Sequence, residues 1–289
     1  MRIGLSTPVV MQIPGTASEW ETRAGVDDLV RIAAAADQLG FDHLTCGEHV
    51  MVPVDKAEGR GLTYWDPVAT LGFLAARTSR IRLTTFVLVL GYHHPLEITK
   101  RYGTLDLLSG GRVVLGVGVG SVAEEFDMLA ASFTDRGDRA DEAIAAVRAS
   151  WSDPRPVFEG RFYRFSGVAV EPAADTPHVP IWVGGRTQRS LRRAVTLADG
   201  WAPFGLTVTQ MAEMLGRFDL PPGFEVVLPA GDALDPIGDP EGTGNRLVRV
   251  RDAGATVVNC SVGAQSAQHF LEQLAALREI ADGIPGNQA

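Results

Sequence analysis

Residues 81–120 read IRLTTFVLVLGYHHPLEITKRYGTLDLLSGGRVVLGVGVG. The first ten form a short apolar run that reads as a strand. Residues 96–108 read as a helix, and residues 113–119 read as the next strand. One strand, one helix and one strand in this order make a βα repeat. Repeated along a chain, that unit builds a parallel sheet covered by helices.

The same alternation extends in both directions. Upstream, residues 3–7 predict a strand, and residues 27–39 predict a helix closed by Gly40. Residues 43–46 predict a strand that leads into Gly47-Glu48-His49. Asp66-Pro67 opens another helix, with the proline where a first turn tolerates it. Downstream, residues 136–151 carry Ile144, Val147 and Trp151 on one helical stripe. Residues 158–170 are aromatic and punctuated by Gly160 and Gly167, which predicts an inserted β-hairpin. Strands follow at 181–183, 201–204, 224–228 and 256–261. Leu191, Ala194, Val195 and Ala198 line one helix face between the first two, and residues 267–280 predict the last helix. Residues 229–244, rich in Gly, Pro and Asp, predict a surface loop without function.

About eight units are what closes a barrel. The fold expected is α/β, a (β/α)₈ TIM barrel with a small β-hairpin insertion, occupying residues 1–289 as one domain. An open doubly wound sheet is the competing topology, and it usually needs fewer strands. A barrel of about 250 residues with loop insertions fits a chain of 289.

Composition narrows the function classes. Hydrophobic residues make up 45% and charged residues 21%, as in globular proteins. The net charge of −9 disfavours nucleic acid or an anionic membrane as partner, but leaves room for a local basic pocket. Cys46 and Cys260 make no disulfide framework. The start, MRIGLSTPVV, lacks the apolar core of a signal peptide, and no apolar run is long enough to span a bilayer. A cytoplasmic enzyme is expected.

Three segments could carry chemistry. Gly116, Gly118 and Gly120 share one face of their strand, so that face is bare. Bare faces mark close approach by a ligand or another backbone, or small fillers in a barrel interior. Ser121 stands where a dinucleotide fingerprint would need its last glycine, and no P-loop Gly-Lys-Ser/Thr follows. Gly184-Gly185-Arg186-Thr187 lies between a strand and a helix. Glycines, a helix start and an arginine fork suit a phosphate, and a tight βα turn with a solvated arginine is the plainer reading. Gly47-Glu48-His49 ends the second strand, where barrel catalytic groups sit. His49 could donate a proton or orient a ring, although a lone histidine is more often structural. His93-His94 invite a metal reading together with Glu48 and His49. Barrel metallohydrolases typically begin with His-x-His on the first strand, however, and here that strand reads IGLSTP. No metal is expected.

Taken in order and spacing, Gly47-Glu48-His49, RLTTFVLVLGYHHP, LDLLSGGRVVLGVGVG, FEGRFYRF, IWVGGRTQRSLRRA and ADGW resemble the luciferase-like monooxygenase family. More narrowly, residues 1–205 resemble its coenzyme F420-dependent oxidoreductase branch. The resemblance implies a cofactor phosphate at Gly184, Gly185, Arg186 and Thr187. It implies a bulge at Thr85, Phe86 and Val87 against one ring face, with a cis peptide at Phe86-Val87. It places His49 as the catalytic group at the ring, Glu48 as its acidic companion, and Gly118, Gly120 and Ser121 beside the cofactor. Ser121 stands where a sugar-phosphate dehydrogenase of this branch has a glutamate, so neither that substrate nor that proton donor is carried over. Asp106 and Arg112 are expected to form a structural ion pair near a helix end. The function implied is hydride transfer between F420 and a small organic substrate. The alternatives are an FMN-dependent monooxygenase, a non-catalytic cofactor-binding relative and a metal-dependent barrel hydrolase. A homodimer through the helices after the second and third strands is also implied.

Overall fold

Short apolar strands that are buried on both faces belong in a parallel sheet wrapped by helices. All four residues of the second strand and all six of the strand at Val113–Gly118 are buried. The computed structural model describes residues 1–174 and 178–284. Its elements are β1 (Arg2–Leu5), α1 (Val26–Gln38), β2 (His43–Cys46), α2 (Ala57–Arg60), α3 (Pro67–Ala75), β3 (Arg82–Thr85), β4 (Leu88–Val89), α4 (Pro95–Ser109), β5 (Val113–Gly118), α5 (Ala123–Met128), α6 (Arg136–Ser152), β6 (Phe158–Glu159), β7 (Arg164–Phe165), β8 (Ile181–Gly184), α7 (Gln188–Leu197), β9 (Gly200–Ala202), α8 (Val208–Leu215), β10 (Glu225–Pro229), α9 (Pro240–Asp252), β11 (Val257–Cys260) and α10 (Ala267–Asp282).

The main sheet runs β3-β2-β1-β11-β10-β9-β8-β5-β4, and β3 also pairs with β5. That extra pairing closes the sheet into a parallel barrel of eight staves, with β3 and β4 sharing one stave. The (β/α)₈ barrel expected from the sequence is the fold observed. Val114, Trp182, Ala202, Val227 and Val257 form a core inside the barrel, with Phe86 packed against it. The larger core lies between staves and helices.

The N-terminal ends of the staves are closed by charge. Asp42 pairs with Arg2 (3.1 Å), Arg82 (2.5 Å) and His43 (2.8 Å). Arg82 and Arg2 also meet Glu225, which accepts from the Trp182 indole (2.5 Å). This is the barrel face where fixed residues serve stability.

Helices α2, α5 and α8 have no counterpart among the expected elements, and two further segments differ from expectation. The loop placed at 229–244 is shorter, because α9 begins at Pro240. Asp239 caps it, its carboxylate accepting from the Gly242 amide (2.9 Å). Gly242 and Gly244 hid this helix, yet Thr243, Leu247 and Val250 form its buried stripe. The inserted hairpin is a ladder of only two residue pairs, Phe158 with Phe165 and Glu159 with Arg164. Its turn is fastened by Glu142, whose carboxylate accepts from the amides of Arg161 (2.9 Å), Phe162 (2.7 Å) and Tyr163 (2.6 Å). Among the described residues, no helix is long and apolar enough to cross a membrane.

Candidate cofactor site at the barrel mouth

The site begins with a register change. Thr84 pairs with Val114, and Leu88 pairs with Val117. Four steps along one stave therefore match three along its neighbour. The extra residue makes a bulge at Thr85-Phe86-Val87, and the Phe86-Val87 peptide is cis. The Phe86 amide donates to the Cys46 carbonyl (2.8 Å), and the Glu48 amide donates to the Val87 carbonyl (3.2 Å). The Thr85 hydroxyl donates to the Gly116 carbonyl (2.7 Å), so this side chain pins the bulge from within.

The bulge also accounts for the bare glycine face. A Cβ on Gly116 would lie 1.9 Å from the Thr85 carbonyl oxygen. One on Gly118 would lie 2.5 Å from Val87 Cγ2, and one on Gly184 2.7 Å from Val87 Cγ1. Glycines on β5 and β8 are thus the mould for Val87. Gly120, at φ 76°, makes a turn, and a Cβ there would lie 2.5 Å from the Phe126 ring. Gly118 and Gly120 were expected beside the cofactor. Their bare faces are filled by protein, because the bulge and Phe126 reach them first.

His49 lies at the end of β2 with its side chain 15% exposed. Its Nδ1 is 2.8 Å from Oε2 of Glu125, a fully buried residue at α5. Oε1 of Glu125 accepts from the amides of Val50 (2.6 Å) and Met51 (3.2 Å). Burial alone would raise the Glu125 carboxyl. The hydrogen bond from His49, the nearness of Tyr92 and the Met51 amide outweigh it and hold the carboxyl below its usual value. An ionised carboxylate only accepts, so the proton between them sits on Nδ1. Nε2 has no partner among the described residues. The Tyr64 ring meets the imidazole edge-on, centroids 4.6 Å apart. Burial and then Glu125 push the Tyr92 hydroxyl well above the usual phenol range.

Glu48 does not accompany His49. Its carboxylate accepts from the Val89 amide (2.7 Å) and meets Nε2 of His93 (2.6 Å). His93 Nδ1 in turn lies 3.3 Å from Arg101. Glu48 therefore braces the bulge from behind, and the carboxylate expected at His49 comes from Glu125. Ser121 is exposed, and its hydroxyl accepts from Arg60 of α2 (3.3 Å). Lys56 reaches Glu124 (2.5 Å), so the segment before and through α2 is clipped to α5 across the mouth.

Gly184, Gly185, Arg186 and Thr187 connect β8 to α7. Gly185 takes φ 136°, and Arg186 and Thr187 are exposed. The Thr187 hydroxyl caps α7 by accepting from the Ser190 amide (3.2 Å). The amides of Gln188 and Arg189, earlier in that turn, have no acceptor within the helix. A glycine turn, first-turn amides and a guanidinium together suit a phosphate.

Sequence reasoning missed two groups around the mouth, Glu21 and Glu125. Glu21 is buried in the segment after β1 and accepts from the amides of Val9 (2.8 Å) and Ser18 (2.6 Å). It thereby holds Val9 at φ 74°, which is costly for a β-branched residue. Glu125 carries no local signal that separates it from Glu124, its exposed neighbour. Arg112 donates to the carbonyls of Ala75 (2.9 Å) and Ile81 (3.0 Å), while Asp106 accepts from the Val113 amide (3.3 Å). Asp106 ties α4 to β5, and Arg112 ties the start of β5 to α3 and to the residue before β3. Among the described residues, no three His, Cys, Asp or Glu side chains gather as metal ligands.

A closed (β/α)₈ barrel with a bulged third stave and a carboxylate-held histidine ending the second places the chain in one class of barrel. Residues 1–219 match the luciferase-like monooxygenase family, and the chain belongs to that family. An uncharacterized protein of Mycobacterium tuberculosis is 30% identical over 264 residues, 84% of this chain and 91% of its own length. The F420-dependent hydroxymycolic acid dehydrogenase of the same organism is 33% identical over 183 residues, 61% of this chain and 48% of its own length. The crystal structure of monooxygenase RslO1 from Streptomyces bottropensis is 25% identical and superposes with a TM-score of 0.75, covering 96% of this chain and 98% of that one.

Proposed function

We propose that this protein transfers a hydride between coenzyme F420 and a small organic substrate. The observation that carries the reading is the His49–Glu125 pair. It is a proton-handling ring, locked at Nδ1 and unpartnered at Nε2, beside a bulged stave. Kinship to an F420-dependent dehydrogenase supports the choice of cofactor.

The residues present fit such a group. Gly184, Gly185, Arg186 and Thr187, with the first-turn amides of α7, would hold its phosphate. The Phe86-Val87 bulge, pinned by Thr85 and braced by Glu48, would back its ring. When bound, the deazaflavin supplies the hydride-accepting or hydride-donating carbon. His49 holds or moves the proton that accompanies the hydride, and Glu125 keeps Nε2 available for it. The Lys56–Glu124 and Arg60–Ser121 contacts help to keep water from the mouth. A second copy of the chain would cover Leu107 and Leu108 of α4, which are 46% and 73% exposed. Light scattering on the purified protein reads that mass directly.

The test is anaerobic incubation of the protein with oxidised F420 and a panel of small alcohols. Bleaching of the cofactor's visible band, lost in His49→Ala, supports the reading. Its competitor is an FMN-dependent monooxygenase, and the likeness to the monooxygenase RslO1 supports the oxygenase part of that reading. FMN-dependent oxygen uptake without any F420 bleaching would favour that alternative and overturn ours.

A further inference from the structure

We propose that the groove between α6 and α7 receives the oligoglutamate tail of the cofactor. This rests on the F420 reading and extends it to a part of the ligand that FMN lacks. Both cofactors carry a ring, a ribityl chain and a phosphate. FMN ends there, whereas F420 continues through a lactyl group into linked glutamates, each adding a carboxylate.

The groove encloses about 490 Å³ and is lined by Gln188, Arg189, Arg192, Arg193 and Thr196 of α7 and by Asp141 of α6. Gln188 and Arg189 directly follow the phosphate turn, so a chain leaving that turn enters the groove without crossing another element. Residues 186–198, RTQRSLRRAVTLA, hold four arginines and no acidic residue, in a chain of net charge −9. The α7 wall is a local reversal of sign, and the facing α6 wall adds Asp138 and Asp141.

The arginines differ in what they already hold. The Arg193 side chain is 5% exposed and is anchored by Asp141 and by the Gly137 carbonyl (2.9 Å), so it forms the floor. Arg189 reaches across to Asp138, and both side chains of that pair are more than half exposed. An exposed pair of this kind is weak and readily exchanges partners. The Arg192 guanidinium is exposed and has no hydrogen-bond or ion-pair partner among the described residues. The N-terminal end of α7 adds partial positive charge. The ten residues of α7 span about 15 Å at about 1.5 Å per residue, long enough for roughly four extended glutamates.

The test is a fluorescence titration of the apo-protein with three ligands. They are the phospholactyl deazaflavin without glutamates, the same molecule with three or more, and FMN. The tailed form is expected to bind about fivefold to tenfold more tightly at low salt, as a few exposed ion pairs allow. Added salt should close that gap. Arg192→Glu should bring the ratio close to one, and Arg192→Lys should keep most of it. Equal dissociation constants for the tailed and tail-less forms overturn the groove while the cofactor reading stands. So does an unchanged ratio in Arg192→Glu. Binding of FMN alone overturns the groove and the cofactor reading together.

Discussion

Oε2 of Glu125 lies 2.8 Å from Nδ1 of His49, a residue 76 positions earlier in the chain. The same carboxylate fixes the two amides after His49, so it sets both the ring's tautomer and the path of the backbone behind it. Glu125→Gln keeps the shape but can present a donor to Nδ1. Turnover is expected to fall at least tenfold, while the cofactor dissociation constant stays within about twofold. Steady-state rates beside a binding titration check it. Equal losses in both would make Glu125 merely structural. Glu125→Ala should in addition lower stability by about 1–3 kcal/mol, because it leaves buried donors unpaired. Urea unfolding reads that loss.

The glycine mould makes a separate claim. Gly118→Ala would put a methyl 2.5 Å from Val87 Cγ2, so the bulge must move. Overpacking of this kind costs about 1–3 kcal/mol. Cofactor affinity should fall with it, and trimming Val87 to Ala in the same chain should restore both. A double-mutant cycle with unfolding and binding readouts decides. Additive effects would mean that the glycine and Val87 do not share this space.

Asp42 predicts a pH dependence. Burial works to raise its carboxyl, but the hydrogen bond with His43 and the charges of Arg82 and Arg2 outweigh it and hold the carboxyl well below its usual range. Unfolded, the group takes up a proton near pH 4. The folded chain resists that protonation, so the stabilisation is complete above about pH 4 and is lost as pH falls toward the folded value. Asp42→Asn should destabilise the barrel by about 3 kcal/mol at pH 6 and flatten the loss of stability between about pH 4 and about pH 2. Denaturant midpoints across that range check the sign.

Cys46 and Cys260 are both buried, and burial pushes each thiol up to about 12. Thiolate is the reactive form, so neither should react with a disulfide reagent at pH 8 until the barrel unfolds. Two thiols should then appear together in denaturant. Rapid labelling of Cys46 in the native protein would show that the end of β2 is open.

The barrel was legible because each stave is a short apolar run and the longer helices before β9 carry a readable pattern, although α8 went unread. α9 was not legible either, because Gly242 and Gly244 weaken the helical pattern, although Asp239-Pro240 repeats the cap already read at Asp66-Pro67. The bulge at Phe86-Val87 was expected from the family resemblance and is present. The bare face of β5 had two readings, and the structure fills it with Val87 and the Thr85 carbonyl rather than leaving it open. The carboxylate at His49 was assigned to the adjacent Glu48. Both residues follow β2 rather than lie in it, and their side chains turn to different partners. Glu48 turns to His93, and the true partner arrives from α5, a contact that no local pattern announces.

We propose that the mouth of this barrel holds a deazaflavin. Calorimetric titration of the apo-protein with F420 and with FMN, side by side, tests it most directly. Saturable, one-to-one binding of F420 at least tenfold tighter than FMN is expected, weakened when Arg186 is replaced by Ala. Tight binding of FMN with no heat from F420 would contradict it.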